Sequence, residues 1–153
     1  MRVLIQRVKR ASVHIGEDAV ASIGRGSLVF VAFRTGDGEE ELRWMAEKVV
    51  HLRIFEDEAG KMNRSLLEIG GQALVVPQFT LYGDARRGRR PGFDAAAPPS
   101  EARDLFEKFV DKLRSHGIQI LSGRFQTTMQ VELVNDGPVT ILVDFPAAPL
   151  AAG

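Results

Sequence analysis

Apolar residues recur at strand spacing through the first part of the chain and again near its middle. Residues 3–15 alternate partly between apolar and polar side chains, which predicts a long strand followed by a turn at residues 16–18. A short apolar segment at residues 20–23 and a nearly unbroken apolar run at residues 27–33 predict two further strands. Residues 73–76 are apolar enough to form a strand that is buried on both faces.

Shorter apolar segments predict strands elsewhere. Residues 52–55 predict a short strand that ends in the turn-rich segment 57–63. Near the C-terminus, apolar residues alternate with polar ones over residues 129–133 and again over residues 139–143. The intervening segment 135–138 has a turn composition, so we expect two antiparallel strands joined by a hairpin turn.

Two segments have the three- and four-residue apolar spacing of amphipathic helices. Asp37 is suited to cap the first, which carries three glutamates in its first turn, and its apolar stripe is Leu42, Met45, Ala46 and Val49. Ser100 is suited to cap the second, and Gly117 stands where a left-handed C-cap is expected. The stripe of the second helix is Ala102, Leu105, Phe106, Phe109, Val110 and Leu113.

Together these elements predict an α+β fold. We expect a single domain over residues 1–145, with a curved, mainly antiparallel β-sheet or barrel and two main helices packed outside it. Residues 146–153 are rich in alanine and proline, and we expect them to form a frayed C-terminal tail.

Composition narrows the possible classes of protein. The chain has 153 residues, of which 44% are hydrophobic, enough for one compact core. No apolar run approaches the roughly 18 residues of a membrane span, and the first ten residues do not resemble a signal peptide. The absence of cysteine excludes disulfides and thiol chemistry and suits a cytoplasmic location. Because 20 basic residues balance 20 acidic ones, any contact with RNA must use a local patch.

The familiar catalytic and cofactor motifs are missing from the sequence. It contains no G-x-S-x-G elbow and no P-loop, and the Gly24-Arg25-Gly26 segment lacks the third glycine of a dinucleotide fingerprint. The three histidines, His14, His51 and His116, lie far apart, and none has a partner at metal-ligand spacing. We therefore expect no metal site and no cofactor.

Two segments carry polar groups where chemistry can be built. In residues 77–84 a buried strand gains a proline, an amide and a hydroxyl from Pro77, Gln78 and Thr80, and such a sheet end can present polar groups to a ligand. The alternative is an ordinary strand terminus whose polar side chains are satisfied locally. Residues 135–140 combine Asn, Asp, Gly and Pro, for which the alternative is a plain hairpin turn.

A basic cluster lies beside the first of these segments. It is formed by Arg86, Arg87, Arg89 and Arg90, within a segment rich in Gly, Pro and Arg that predicts a long surface loop. We expect the cluster to meet the phosphates of a nucleic acid, and the alternative is a solvated loop with no such role.

Considered together, the two polar segments resemble the motif pair of the D-aminoacyl-tRNA deacylases. The pair is Gln78-Phe79-Thr80-Leu81 and, later in the chain, Asn135-x-Gly137-Pro138-Val139-Thr140. The resemblance extends to residues 5–8, 52–57, 88–93 and 109–112, and it covers almost the whole chain except the C-terminal segment from about residue 146. A set of motifs in one order is far more specific than any single motif.

The resemblance implies the fold of that family and a hydrolase that acts on a carboxylic ester. Its substrate would be a D-amino acid esterified to tRNA, and its cellular role would be quality control of translation. It implies a homodimer with two active sites at the interface, each completed by the Gly137-Pro138 dipeptide of the other subunit, with its peptide bond cis. The expected partners are therefore aminoacyl-tRNA and a second copy of the chain, with no membrane and no DNA.

The resemblance also implies roles for individual residues. Gln78, Phe79 and Thr80 correspond to the catalytic part of the pocket. Four further residues are implied in substrate binding or in support of the dipeptide, namely Phe125, Met129, Asn135 and Arg7. A rigid dipeptide would act by leaving no room for an L side chain rather than by gripping a D side chain. Glycine, including glycine mischarged on tRNA(Ala), would then also be released.

The lack of a general base in these motifs fits an ester that is already activated and a neighbouring ribose hydroxyl that assists attack by water. Backbone N–H groups near Phe79 and Thr80 would form the oxyanion site. We therefore expect Thr80 to position groups rather than to act as a covalent nucleophile.

The sequence departs from the family pattern at two places. Pro77 stands where the family usually has Ser, and Gln126-Thr127 stands where Gly-Ala usually follows the phenylalanine. A related deacylase branch that removes mischarged L-alanine also begins this motif with Pro-Gln, but it lacks the phenylalanine that this chain has as Phe79. Two alternatives therefore stay open, an enzyme of that branch and a catalytically idle tRNA-binding dimer.

Overall fold

A computed structural model describes residues 1–145 of the chain, so the tail expected at residues 146–153 lies outside the described residues. Strands and helices follow one another in the order β1 (Arg2–Ile15), β2 (Asp18–Ile23), β3 (Gly26–Ala32), α1 (Glu39–His51), β4 (Phe55–Glu56), β5 (Met62–Arg64), β6 (Gln72–Pro77), α2 (Pro99–Arg114), β7 (Gln119–Ser122) and β8 (Gln130–Asp144). Within this range, neither helix is long and apolar enough to cross a membrane.

Six strands form one curved, nearly closed sheet around the long strand β1. On one edge β1 pairs with β3 through its first half and with β2 through its second half, and on the other edge it pairs with β8, always antiparallel. The strand β6 is parallel to both β3 and β7. The sheet is therefore mixed rather than mainly antiparallel, because the two helices act as crossover connections that bring β6 and β7 in as parallel strands.

The strands β3 and β6 are buried on both faces, which explains their unbroken apolar sequences. Val29 and Val75 face a core shared with both helices. Leu28 and Leu74 face a second core on the opposite side of the sheet, closed by residues of β1 and β2. These two strands form the fixed centre of the molecule, and both end beside the cavity described below.

The apolar stripes of both helices are buried as predicted, but their caps differ from the prediction. Gly38 rather than Asp37 precedes α1, and its N–H donates to the carboxylate of Glu41 at 2.8 Å. The second helix begins at Pro99, one residue before the predicted cap Ser100, because proline needs no N–H partner in the first turn of a helix.

Asp37 instead binds the N-terminal ammonium of Met1. The ammonium donates to Oδ1 of Asp37 at 2.9 Å and to the carbonyl of Phe145 at 2.8 Å, and Met1 is fully buried. Burial lowers the pKa of this ammonium below its usual value, although the hydrogen bond that it donates to Asp37 opposes the shift. This contact ties the start of β1 to the segment before α1 and to the end of β8.

The predicted hairpin near the C-terminus is wrong. Residues 130–144 form one continuous strand, β8, which pairs with β1 on both sides of the expected turn. Gln6 pairs with Thr140 and Val8 pairs with Asn135, so residues 136–139 lie opposite the single residue Arg7. The turn-forming composition therefore produces a large bulge inside a strand, because the partner strand β1 continues past it.

Three smaller features also differ from the prediction. The strand expected at residues 52–55 is reduced to β4, which starts at Phe55. The strand β7 is an addition at the edge of the sheet, since no strand was predicted at residues 119–122. The segment after Pro77 is not a strand end but a 3₁₀ turn, Phe79–Tyr82.

Candidate active site

A cavity of about 760 Å³ opens where β3 and β6 end beside the start of α2. Its wall is largely apolar, and four of the predicted site residues line it, namely Gln78, Phe79, Phe125 and Met129. A largely apolar cleft with a few convergent polar groups is the usual form of a small-molecule site. The structure therefore brings two distant parts of the sequence, residues 78–79 and 125–129, to one cavity.

The Gln78 side of the cavity is fixed by backbone pairing. The N–H of Gln78 donates to the carbonyl of Val31 at 2.8 Å, and the chain then turns away in the 3₁₀ turn. The side-chain amide of Gln78 donates to the hydroxyl of Thr80. Thr80 is exposed and stands next to the cavity without lining it, so its hydroxyl holds Gln78 rather than forming the cavity wall.

Two backbone donors are free at the same place. Among residues 1–145, no hydrogen bond engages the N–H of Phe79 or of Thr80. Both groups belong to the turn that begins directly at the cavity wall. Unpaired backbone donors beside a cleft are suited to bind an anionic or strongly polarised oxygen.

Arg2 fixes the far end of the 3₁₀ turn. Its guanidinium donates to the carbonyl of Leu81 at 2.8 Å, lies 4.8 Å from the ring centroid of Tyr82 and pairs with Asp144 at 2.7 Å. Burial raises the pKa of Tyr82 to about 12, so this phenol is neutral at physiological pH. A residue of β1 thereby holds the turn that carries Phe79 and Thr80.

The ring of Phe79 is 58% exposed, which is unusual for a large apolar side chain. It makes an edge contact with Phe93, at 5.1 Å between ring centroids. Phe93 also lines the cavity and belongs to the long loop after the 3₁₀ turn. The loop is thus attached to the cavity rim through an aromatic pair.

The opposite side of the cavity is formed by the segment between β7 and β8. Phe125 packs against Phe106 at 6.3 Å and beneath the guanidinium of Arg103 at 5.1 Å. The sulfur of Met129 accepts a hydrogen bond from the N–H of Arg124 at 3.4 Å and lies where a side chain on Gly123 would clash. Packing therefore fixes both predicted lining residues.

Gln126 explains one departure from the family pattern. Its φ of +52° lies in the left-handed region, where glycine is the favoured residue. The side chain of Gln126 accepts a hydrogen bond from Arg103 at 2.8 Å, which offsets part of the backbone cost. Gln126 therefore holds a backbone conformation that glycine adopts more readily.

A second cluster of predicted residues surrounds the bulge of β8. The side chain of Asn135 spans the bulge, because its Oδ1 accepts from the N–H of Val139 at 2.7 Å and its Nδ2 donates to the carbonyl of Val139 and the hydroxyl of Thr140, both at 3.1 Å. Gln6 on β1 donates to the same Thr140 hydroxyl at 3.2 Å. These contacts account for the spacing of Asn135 and Thr140 in the motif.

Arg7 fills the space behind the bulge. It is buried, and its guanidinium donates to the carbonyl of Asp136 at 2.7 Å and to the carbonyl of Ile54 at 2.8 Å. The peptide bond between Gly137 and Pro138 is cis, and both residues are exposed. Gly137 has a φ of +146°, and a Cβ there would stand 2.9 Å from the N of Val139 and 3.2 Å from Arg7. Only glycine fits this position.

The predicted site residues therefore fall into two clusters within one chain. Gln78, Phe79, Phe125 and Met129 line the cavity, and Thr80 stands beside it. None of Arg7, Asn135, Gly137 and Pro138 lines it. The exposed Gly137-Pro138 dipeptide belongs to the bulge and forms no part of the cavity wall of its own chain.

The four arginines of the basic cluster lie on the loop that begins at the cavity rim. Backbone hydrogen bonds between Asp84 and Gly92, at 2.8 and 2.9 Å, close the base of this loop. Arg86 forms a two-point ion pair with Asp84, which lowers the pKa of that carboxyl to about 2. No ion pair within the described range engages Arg87, Arg89 or Arg90, all of which are exposed.

Sequence reasoning did not find several residues that build the site. Arg2, Phe33 and Phe93 anchor or line it, yet each belongs to a segment whose local pattern is that of an ordinary strand or loop. Their roles arise from tertiary contacts. Glu47, His51 and His116 could hold a metal ion, but they lie outside the cavity wall.

Comparison with known proteins supports a single family. The model of the D-Tyr-tRNA(Tyr) deacylase family matches residues 4–144. The D-aminoacyl-tRNA deacylase of Thermomicrobium roseum is 59% identical over 144 residues, covering 94% of each chain. The corresponding protein of Symbiobacterium thermophilum is 56% identical over 94% of this chain and 95% of its own.

Solved structures have the same fold. One described as the c-Myc DNA unwinding element binding protein superposes with a TM-score of 0.90 at 38% identity, over 96% of this chain and all of that one. Another, described as a probable eukaryotic D-amino acid tRNA deacylase, has a TM-score of 0.81 at 22% identity. The match covers 93% of this chain and 97% of that one. On the family match and on relatives that share more than half of their residues with it over nearly the full length, this chain belongs to the D-Tyr-tRNA(Tyr) deacylase family.

Proposed function

We propose that this protein is a D-aminoacyl-tRNA deacylase that works in the cytoplasm, where aminoacyl-tRNA is used. It hydrolyses the ester bond between a D-amino acid and tRNA and rejects L-amino acids. Family membership supports the reaction, since the curated relatives of the same length are D-aminoacyl-tRNA deacylases. The observation that carries the proposal is the pair of clusters described above, an apolar cavity next to free N–H donors and an exposed Gly137-Pro138 dipeptide.

The two clusters act together across a homodimer in this proposal. The cavity of one chain receives the Gly137-Pro138 dipeptide of another, so each active site uses residues of both subunits. The exposure of the dipeptide and its separation from the cavity of its own chain support this arrangement.

The strand β8 gives independent support for a homodimer. Within residues 1–145 it pairs with β1 alone, so its outer edge has no strand partner. Leu142 on this strand is 55% exposed, and Phe79 at the cavity rim is 58% exposed. A long open edge and exposed apolar side chains are features that proteins usually cover, and a second copy of the chain would cover both.

Chiral selection follows from steric exclusion. The dipeptide is held by Asn135 and Arg7, and it would stand beside the Cα of the bound amino acid where an L side chain projects. A D side chain points away and is accepted. Glycine has no side chain to exclude, so glycyl-tRNA is also a substrate in this proposal.

The chemistry needs little from side chains, because an aminoacyl ester is already reactive. The N–H groups of Phe79 and Thr80 stabilise the oxyanion that forms when water attacks the ester carbonyl. Gln78 and Thr80, which are hydrogen-bonded to each other, hold the substrate against these donors. Thr80 has no histidine or carboxylate partner among its described contacts, so it positions groups and is not a nucleophile.

Deacylation assays with matched D- and L-charged tRNA test the function directly. We expect D-tyrosyl-tRNA and glycyl-tRNA to be hydrolysed and L-tyrosyl-tRNA to be spared. Preferential hydrolysis of L-alanyl-tRNA would instead assign the chain to the related branch that Pro77 also resembles. Tight tRNA binding without any hydrolysis would identify an idle binding protein.

Subunit mixing tests whether the site is shared between chains. Gly137→Ala destroys the bulge, and a Gln78→Ala, Phe79→Ala double variant destroys the cavity rim, so each homodimer should be inactive. Random mixing of the two gives hetero-dimers with one intact site each, and we expect recovery of about one quarter of wild-type activity. The matched control mixes two different rim variants, which share the same defect and should stay inactive. Absence of recovery in verified hetero-dimers would contradict a shared site.

Thr80→Ala tests the positioning role. Loss of the hydrogen bond with Gln78 should lower kcat about 5- to 10-fold, the effect of roughly 1 kcal/mol in the transition state. Thr80→Ser keeps the hydroxyl and should keep nearly full activity. Rapid-quench trapping of an acyl group on Thr80, or complete loss of activity in Thr80→Ala, would contradict the positioning role.

The arginine loop is expected to bind tRNA phosphates. Replacement of Arg87, Arg89 and Arg90 by alanine should weaken tRNA binding and lower the slope of log affinity against log salt by up to about 2 to 3. Arg86→Ala should have a smaller effect, because Asp84 already neutralises Arg86.

The control for charge replaces three exposed lysines elsewhere, Lys9, Lys61 and Lys108, with alanine. It changes the net charge by the same amount and should leave the salt slope almost unchanged. If replacing all four loop arginines leaves both tRNA affinity and its salt dependence as in the wild type, the loop has no role in phosphate binding.

A further inference from the structure

Three metal-ligating side chains meet on the outside of the helical layer, away from the cavity. Glu47 and His51 are four residues apart on α1, so they share one face of its last turns. His116 follows the end of α2 and faces the same point. Sequence spacing did not indicate this cluster, because the fold brings the two histidines together from 65 positions apart.

The geometry of the cluster suits a small divalent ion. The Nε2 atom of His51 lies 3.3 Å from one carboxylate oxygen of Glu47, and the Nε2 atom of His116 lies 3.6 Å from the other. Metal bonds of about 2.0 to 2.1 Å at tetrahedral angles require ligand atoms to be about 3.4 Å apart. Each histidine therefore stands close to this distance from a different oxygen of Glu47.

The two histidines need only a small rearrangement to bind the same ion. All three ligand atoms lie within 4.8 Å of one another, and the two rings are nearly perpendicular, with centroids 6.0 Å apart. The side chain of His116 is 18% exposed, so packing holds it in place, whereas that of His51 is 52% exposed and free to turn inward.

We propose that Glu47, His51 and His116 form a binding site for a first-row divalent metal ion, with Zn²⁺ as the best-suited ion. Two neutral imidazoles and a carboxylate are typical ligands of Zn²⁺, and water completes the tetrahedron. The bound ion links the last turn of α1 to the turn after α2. Because none of the three residues lines the cavity, the ion stabilises the fold and takes no part in ester hydrolysis.

Calorimetric titration of the untagged, chelator-treated full chain with ZnCl₂ tests the proposal. We expect one Zn²⁺ per chain, and at least a tenfold loss of affinity in the His51→Ala, His116→Ala double variant. At a Zn²⁺ concentration 100 times Kd, the wild-type Tm should rise by about 5 to 10 °C. Should the double variant not fold, His51→Ala alone provides the comparison, because that ring is half exposed.

The chain offers a matched control. His14 also lies near a carboxylate, that of Glu132 at 3.6 Å, but it belongs to strand β1 in the sheet and is not in the cluster. His14→Ala should bind Zn²⁺ like the wild type. Equal zinc affinity in the wild type and in the double variant, or loss of binding in His14→Ala instead, would overturn the proposal. Deacylase activity is read separately and is expected to be the same with and without zinc.

Discussion

The pairing of β1 with β8 on both sides of a bulge is the constraint on which the rest of the site depends. Because Gln6 and Val8 are both in register with β8, the residues between Asn135 and Thr140 have no ladder position and must leave the sheet. The gap behind them is filled by Arg7, whose buried guanidinium donates to the carbonyls of Asp136 and Ile54. A buried cation with carbonyl partners on two segments allows little rearrangement, so the bulge has one shape.

The same long strand β1 also organises the cavity. At one end Arg2 holds the 3₁₀ turn that carries Phe79 and Thr80, and in its middle Arg7 holds the bulge. The cavity rim and the exposed dipeptide are therefore both supported by one strand at the centre of the sheet. The loop arginines are linked to this frame through the contact between Phe79 and Phe93.

Much of the fold could be predicted from the sequence, because periodicity reports directly which side of an element is buried. For this reason the predictions of both helix stripes and of the buried strands β3 and β6 are correct. The hairpin prediction failed because Asn, Asp, Gly and Pro favour a turn locally. The pairing of β8 with β1 is a long-range contact, which a local sequence pattern does not report. The cap expected at Asp37 failed in the same way, since its partner is the distant ammonium of Met1.

The strand β8 carries Gly137 in its bulge. Met129 lines the cavity and is the residue directly before the first residue of β8. Asn135, the last residue in register with β1 before the bulge, follows Met129 by six residues, which span roughly 20 Å in an extended strand. An inserted or deleted residue in this stretch would reverse the side-chain alternation and move the bulge relative to the cavity wall. The stretch is therefore expected to tolerate substitution better than a change in length.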